Sequence, residues 1–169
     1  MKTLYIVRHA KSDKDNLKLQ DIDRPLNARG YNDAHAMAAR LRPAIQTPEL
    51  IISSPAIRAL STALIFAREL GYEASKIIIN ENIYETGKQE YINAVSQVDN
   101  SVNSVMIFGH NSTITSLVNM LSEPFTDNVP TCGVTAISFA VKTWKEAFET
   151  KGFMIFHDFP KKEAGLINH

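Results

Sequence analysis

Cysteine is nearly absent from this chain of 169 residues, which contains only Cys132. A single cysteine can form neither an internal disulfide framework nor a zinc site made of several thiolates. A small disulfide-stapled fold and a cysteine-based zinc module are therefore excluded.

The chain also lacks an excess of charge of either sign, because 18 lysines and arginines stand against 18 aspartates and glutamates. Nucleic-acid binders normally carry a basic excess, so no nucleic-acid partner is expected. No segment approaches the roughly 18 consecutive apolar residues of a membrane span. The N-terminal apolar run is also too short for a secretory signal. We expect a protein without a membrane partner, located in the cytoplasm.

Short apolar runs alternate along the chain with amphipathic segments, which is the pattern of an α/β fold. Such alternation implies right-handed crossovers and a mainly parallel central sheet with helices on both faces. We expect the last run to pair antiparallel at one side, and residues 1–169 to form one domain. The predicted strands are residues 3–7, 50–52, 76–80, 104–108, 134–141 and 152–157.

Helix start and stop signals occupy the segments between these strands. Asn27 is predicted to cap a helix that Pro43 ends or kinks. Ser54 is predicted as the N-cap of a second helix, with Pro55 at its first position and Gly71 at its C-terminal stop. The other predicted helices are residues 88–98 and 114–121.

Three separated pieces of sequence place cationic or cation-capable side chains just after predicted strands. Arg8 and His9 follow the first strand. Arg58 lies in the first turn of the helix after the second strand, and His110 follows the fourth strand at a helix start. Ligands bind beyond the carboxyl ends of parallel strands, and helix N-termini favour anions. Because arginine forks match phosphate oxygens, these residues predict a phosphate pocket.

The same residues form a recognisable set of motifs: Arg8-His9-Ala10, Ser53-Ser54-Pro55 with Arg58, Gly109-His110-Asn111 and Asp23-Arg24-Pro25-Leu26-Asn27. In order and spacing they resemble the histidine phosphatase superfamily, which includes the cofactor-dependent phosphoglycerate mutases. The last motif and the short chain look most like the SixA-type phosphohistidine phosphatase branch. The resemblance covers about residues 2–160 and implies a phosphoglycerate mutase-like fold with three α/β/α layers.

The resemblance also implies a role for individual side chains. His9 would be the nucleophile, forming a covalent phosphohistidine that water hydrolyses without a metal ion or another cofactor. Glu85 falls where related enzymes carry a proton-donating carboxylate. The residues implied to bind the phosphoryl oxygens are Arg8, Arg24, Arg58 and His110.

The chemistry implied for His9 requires a neutral imidazole with one free ring nitrogen. An unperturbed histidine has a pKa of about 6.5, and neighbouring arginines would lower that pKa and keep the lone pair available. We expect the other ring nitrogen to donate to a backbone carbonyl. A protonated His110 would help the arginines to offset the phosphoryl charge.

The substrate expected from these features is a phosphorylated protein that carries phosphohistidine, or a small phosphomonoester. The chain has no obvious insertion that would form a lid, so a side chain of another protein would have access. A protonated imidazole departs readily from phosphorus, whereas an alkoxide depends on a positioned acid.

Two alternatives have different chemistry. A non-catalytic phosphoprotein-binding module would use the same pocket without turnover. A metal-dependent phosphatase of the haloacid dehalogenase kind would need an Asp-x-Asp pair directly after a strand. Two segments have that spacing, but both lie in a charged loop beyond the first strand and are interpreted as solvated: Asp13-Lys14-Asp15 and Asp21-Ile22-Asp23.

Overall fold

A computed structural model of the chain describes residues 1–162. Strands and helices alternate along the described residues, as the sequence pattern predicts. In chain order they are β1 (Lys2–Arg8), α1 (Ala28–Leu41), β2 (Leu50–Ser53), α2 (Ile57–Leu70), β3 (Ile78–Ile79), α3 (Lys88–Ser96), β4 (Ser104–Gly109), α4 (Thr113–Leu121), β5 (Val134–Phe139), α5 (Trp144–Ala147) and β6 (Phe153–Asp158).

The six strands form one mixed sheet in the order β3-β2-β4-β1-β5-β6. The pairs β2–β3, β2–β4 and β1–β4 are parallel. β5 pairs antiparallel with β1 on one side and with β6 on the other, so β5 alone runs against the other strands. The predicted α/β architecture, a mainly parallel sheet whose last strand pairs antiparallel at one side, is therefore confirmed.

The core lies in two layers on opposite faces of the sheet. Tyr5 and Val7 of β1 pack in the layer that α1 and α2 cover. Leu4 and Ile6 of the same strand pack in the layer that α3, α4 and α5 cover. This alternation follows from the two-residue period of a strand, and it gives the three-layer α/β/α arrangement expected from the resemblance.

Of the four predicted ends of the first two helices, three are confirmed. The side chain of Asn27 accepts the N–H of Gly30 and caps α1, which ends before Pro43. Gly71 ends α2 in the left-handed conformation, with φ 77°, which glycine adopts without steric cost.

The predicted start of α2 is wrong. The helix begins at Ile57, after an extended Ala56, and Ser54 and Pro55 lie in the turn that precedes it. The Ser54 hydroxyl accepts the N–H of Ala56 and contacts the ring of His110. Ser54 therefore joins the turn to the functional site instead of capping the helix.

Strand β3 differs from the sequence expectation, and the segment between β5 and β6, for which no element was predicted, contains a helix. β3 is only two residues long, instead of the predicted 76–80, because residues 74–76 form a single 3-10 turn. The polar segment between β5 and β6 contains the short helix α5, which begins with a reciprocal capping box between Thr143 and Glu146. Among the described residues, no helix combines the length and apolar character needed to cross a bilayer.

Candidate active site

The carboxyl ends of three strands lie side by side, because β4 pairs in parallel with β1 on one side and β2 on the other. Arg8 at the end of β1 is in register with Gly109 at the end of β4. The residues that follow, His9 and His110, come together with their ring centroids 5.2 Å apart. Arg58 reaches the same place from the first turn of α2.

These residues line a cavity of about 220 Å³, called the phosphate pocket below. Five of the six predicted site residues contribute to its wall, together with Lys11 and Lys14. The five are Arg8, His9, Arg24, Arg58 and His110. The topology thus brings together side chains that are up to about a hundred residues apart in sequence, while their chemical roles stay predictions.

His9 has the hydrogen bond and the charge state expected of a nucleophile. Its ring is nearly buried, and Nδ1 lies 2.7 Å from the carbonyl oxygen of Ala10. With Nδ1–H donating to that oxygen, the lone pair is on Nε2. Burial lowers the pKa of His9 to about 3, and the positive field of Arg58 and Arg8 adds to the effect. The imidazole is therefore neutral near pH 7.

His110 differs from the sequence expectation in its protonation state. Burial and then the guanidinium of Arg58 lower its pKa to about 4, so the ring is neutral while the pocket holds no anion. Nε2 lies 2.7 Å from the hydroxyl oxygen of Ser54. An incoming phosphoryl group would raise the pKa of His110, because an anion stabilises the imidazolium.

The backbone around His110 is fixed by Tyr91. The N–H of His110 donates to the Tyr91 hydroxyl across 3.1 Å. A Cβ at position 109 would overlap that same hydroxyl, so only glycine allows β4 to approach Tyr91 this closely. The glycine of the Gly-His pair is thus required by packing.

Three buried nitrogen atoms around the phosphate pocket lack a hydrogen-bond partner within residues 1–162. They are the only nitrogens among the unpaired buried side-chain atoms of this part of the chain: Nε of Arg8, Nε of Arg58 and Nδ1 of His110. An unpaired buried donor costs about 1–3 kcal/mol. Each Nε–H is such a donor, so the pocket is pre-formed for a ligand that supplies acceptor oxygens.

Hydrogen bonds from the Nη atoms of the two arginines to the protein fix their orientation. Arg8 Nη1 donates to the carbonyl oxygen of Val129 across 2.9 Å. Arg58 Nη1 and Nη2 donate to the carbonyl oxygen and to Oδ2 of Asp21, at 2.6 and 2.9 Å. Each guanidinium is therefore held in place with its Nε–H left for a ligand.

Asp21 is the contact that sequence reasoning missed. Its carboxylate binds Arg58 through Oδ2 and Arg24 through Oδ1, and Tyr84 donates its hydroxyl proton to Oδ2 across 2.5 Å. The hydrogen bond from Tyr84, followed by those from the arginines, holds the pKa of Asp21 well below its usual range. The interpretation of this aspartate as a solvated loop residue is right about its exposure, with 46% of the side chain accessible, but it did not anticipate the contacts with the two arginines. The spacing to Arg24, three residues on, was the available signal.

Glu85 lies outside the set of residues that line the phosphate pocket. Its side chain is exposed, and its backbone has φ 52°, in the left-handed region that non-glycine residues rarely adopt. Its neighbour Tyr84 contacts the pocket instead, with its ring edge-on to His110 at a centroid distance of 5.6 Å. The predicted proton-donor role of Glu85 is thus not supported by a place in the pocket wall and stays a prediction.

The two Asp-x-Asp segments are engaged in loop structure. Oδ1 of Asp13 accepts the N–H of Asp15, which closes a local turn, and Asp21 binds the arginines described above. Within residues 1–162, no three histidine, cysteine, aspartate or glutamate side chains are grouped closely enough to share a metal ion.

Comparisons with known proteins place this site in a family context. Residues 4–92, more than half of the chain, match the family model of the histidine phosphatase superfamily, branch 1. An uncharacterized chloroplastic protein of Arabidopsis thaliana is 29% identical in an alignment 159 positions long, which covers 88% of this chain and 72% of that protein.

Solved structures show the same fold. A SixA protein from Nakamurella multipartitia has a TM-score of 0.78 at 20% identity, covering 95% of this chain and 97% of that one. The protein histidine phosphatase SixA in complex with tungstate has a TM-score of 0.75 at 20% identity, covering 94% and 97%.

Proposed function

Because this chain belongs to the histidine phosphatase superfamily, we propose that it hydrolyses phosphohistidine in proteins, or small phosphomonoesters, without a metal ion. The observation that carries the proposal is the convergence of unpaired buried nitrogens from Arg8, Arg58 and His110 beside the ring of His9. The reaction would pass through a covalent phosphohistidine at His9.

The first step forms a bond from Nε2 of His9 to phosphorus. The bond from phosphorus to the leaving group breaks, and the leaving group departs with the electron pair and takes up a proton. The phosphoryl group carries roughly 1.5 to 2 negative charges near neutrality. Nε of Arg8 and Nε of Arg58, which have no partner among the described residues, would donate to its oxygens. Catalysis of this transfer consists mainly of positioning and charge stabilisation.

The second step transfers the phosphoryl group from His9 to water. A bond from the water oxygen to phosphorus forms, the N–P bond breaks, and its electron pair returns to Nε2. The carbonyl oxygen of Ala10 holds the proton on Nδ1 during both steps. The nucleophile is thereby regenerated in the tautomer it had before the first step.

The side chains of the pocket wall favour phosphohistidine over alkyl phosphates as the substrate. The wall contains four lysine or arginine residues in addition to Arg8 but no carboxylate among the described residues. An alkoxide leaving group needs a positioned acid, whereas imidazole departs once its ring is protonated. The tungstate-bound neighbour, a protein histidine phosphatase, supports the same preference. The cytoplasm is the proposed location, on the sequence grounds given above.

Phosphoryl-enzyme trapping tests the proposal. Wild-type protein incubated with ³²P-labelled phosphoramidate should retain label that is lost in acid and stable in base, and His9→Ala should retain none. His35→Ala is the matched control, because that histidine is largely exposed and pairs with Glu69. Retained label in His9→Ala would contradict the nucleophile, and absence of both label and turnover in the wild type would favour a non-catalytic binding module.

Metal independence is tested in the same assay. Turnover in excess EDTA should equal turnover in untreated buffer, since the proposed steps use only side chains of the chain. Activity that disappears with EDTA and returns with a divalent cation would contradict this part of the proposal.

A further inference from the structure

A second cavity, of about 420 Å³, adjoins the phosphate pocket and has no part in the steps described above. We call it the flanking cavity. Arg8, Lys11 and Thr131 line both spaces, so the two cavities are adjacent. A substituent attached to a phosphoryl group in the phosphate pocket would therefore have room to extend into the flanking cavity.

Positively charged side chains outnumber negatively charged ones in the wall of the flanking cavity. Its wall contains four cationic side chains, from Arg8, Lys11, Arg29 and Lys161, and one carboxylate, from Asp33. The whole chain has equal numbers of acidic and basic residues, so this local excess of positive charge results from the fold. Clefts lined by one sign of charge attract ligands of the opposite sign.

The first wall of the flanking cavity is the start of α1, which packs closely on the loop after His9. The N–H of Asn27 donates to the carbonyl oxygen of Lys11 across 3.0 Å. A Cβ at residue 30 would overlap that same oxygen, so glycine is required for this approach. The contact holds the first turn of α1, and with it Arg29, beside Lys11.

The opposite wall is formed by the segment after β6, which Arg40 of α1 holds in place. Arg40 Nη1 donates to Oδ1 of Asp158 across 2.8 Å and also reaches the carbonyl oxygen of Phe159. Its Nη2 donates to the carbonyl oxygen of Pro160. Lys161 follows directly. The segment after β6 is thus fixed by hydrogen bonds to Arg40 of α1, and the start of α1 is fixed by packing against the loop after His9.

Arg29 has donors available for a ligand. Its Nε lies 3.5 Å from Oδ2 of Asp33 on the same helix, a pair that orients the guanidinium. The side chain of Arg29 is half exposed, so a ligand entering from solvent has access to it. A guanidinium has five N–H donors, and a planar fork of two of them fits a carboxylate or a phosphoryl group.

We infer that the flanking cavity is a second anion subsite, which binds a carboxylate or phosphoryl group that the substrate carries beside the phosphoryl group to be transferred. This inference rests on the proposed function and deepens it by naming the substrate class. Two sources have this chemistry: an acidic side chain next to the phosphorylated residue of a protein, or the second anionic group of a small phosphate ester.

Binding of phosphonates to the wild-type chain tests the subsite, since phosphonates are not hydrolysed. Isothermal titration compares alkylphosphonates with phosphonates of the same chain length that end in a carboxylate. At least one carboxylated member should bind about tenfold more tightly than its alkyl counterpart, which corresponds to about 1.4 kcal/mol. This gain should shrink as salt rises, because part of the site is exposed.

Two variants on α1 show whether the gain is local. Arg29→Ala should remove most of the tenfold gain and change the affinity for alkylphosphonates by less than about twofold, a difference of under about 0.5 kcal/mol. Arg42→Ala removes an equal charge from the exposed C-terminal end of the same helix and should preserve the gain. Equal losses in the two variants would overturn the subsite, because only overall charge would then matter.

The outcomes separate this inference from the proposed function. If alkylphosphonates bind and the carboxylate adds nothing at any chain length, the subsite is refuted and the phosphate pocket stands. If no phosphonate binds, both the subsite and the proposed function are refuted.

Histidine-phosphorylated peptides with aspartate or asparagine beside the phosphohistidine show whether the second anionic group belongs to a protein or to a small substrate. Faster turnover of the aspartate peptide indicates a phosphoprotein. A gain confined to the phosphonates indicates a small substrate.

Discussion

Two imidazoles share one pocket, and both are held neutral by their surroundings. Burial is the main cause of the low pKa of His9 and of His110, and the nearby guanidinium of Arg58 adds to both shifts. For His9 this keeps the nucleophilic lone pair available over a wide pH range. For His110 it leaves a group that gains a proton only when an anion arrives.

This electrostatic arrangement predicts how stability depends on pH. In the folded chain the pKa is about 3 for His9 and about 4 for His110, whereas a histidine of the unfolded chain has a pKa of about 6.5. Between the folded and the unfolded pKa values, the unfolded chain binds more protons than the folded chain. Stability therefore falls as the pH drops below about 6.5, by about 2 kcal/mol per imidazole at about pH 5. Urea unfolding of His9→Gln should show a loss between about pH 7 and pH 5 that is about 2 kcal/mol smaller than in wild type.

The control for this measurement is His35→Gln, since His35 is 59% exposed at its side chain. It should lose as much stability as wild type over the same pH interval. An unchanged slope in His9→Gln would show that His9 is not held neutral in the folded chain.

Asp21 is expected to act on catalysis through Arg58 and Arg24, which it holds in fixed positions. Asp21→Asn removes the charge that offsets the repulsion between the two guanidinium groups. A catalytic group moved by a fraction of an ångström loses efficiency, so kcat should fall about tenfold. Asp23→Asn is the matched control, because it removes the same charge from the same exposed turn.

A comparison of kcat, KM and the melting temperature identifies the role of Asp21. A positioning role lowers kcat, whereas loss of local folding would lower the melting temperature and the active fraction with KM and kcat per active site unchanged. Equal kcat values for Asp21→Asn and Asp23→Asn would refute the positioning role.

Glu85 separates the two proposed substrate types. If its carboxylate reaches the leaving group during turnover, Glu85→Gln should abolish activity on alkyl phosphates and leave phosphoramidate hydrolysis largely intact, since only the alkoxide needs a positioned acid. The assay compares a small phosphate ester with phosphoramidate in both proteins. Equal losses on the two substrates would contradict this division, and no loss on either would remove Glu85 from the reaction.

Helix α2 is connected to the loop after β1 by hydrogen bonds of the Thr62 side chain. Thr62, one turn after Arg58, is fully buried. Its hydroxyl accepts the N–H of Ala10 across 3.0 Å and donates to the carbonyl oxygen of Arg58 across 2.7 Å. A single side chain thus connects the helix that carries Arg58 with the segment after β1 that contains His9 and Ala10.

Replacing this hydroxyl tests the connection. Thr62→Val has nearly the same shape but leaves the buried N–H of Ala10 unpaired, which should reduce the free energy of unfolding by about 1–3 kcal/mol and lower kcat. Thr62→Ser keeps the hydroxyl and should retain kcat. The measurements are urea unfolding and steady-state kinetics, and wild-type kcat in Thr62→Val would show that the connection has no catalytic effect.

At the scale of elements, sequence reasoning succeeded where a local signal has one physical meaning. Asn27 and Gly71 were identified correctly as helix ends, because a side-chain cap and a left-handed glycine are local effects. Ser54 was misassigned, because its hydroxyl contacts His110, which lies far away in sequence. The contact between Asp21 and Arg58 was missed for the same reason, since Arg58 belongs to another element.

For the whole molecule, strand order explains why the predicted site residues meet. The strands that precede His9, Arg58 and His110 are adjacent and parallel at the centre of the sheet. The rule that ligands bind beyond the carboxyl ends of such strands was sufficient to predict that these side chains line one cavity, while its binding of phosphate stays a prediction. The flanking cavity was not predictable, because it depends on how α1 and the segment after β6 pack against each other.

A crystal of the chain soaked in tungstate tests the assignment of His9 as the nucleophile. We predict an oxyanion within bonding distance of Nε2 of His9, with oxygens accepting from Nε of Arg8, Nε of Arg58 and Nδ1 of His110. An oxyanion bound elsewhere, or a His9 ring turned away from it, would contradict the proposed mechanism.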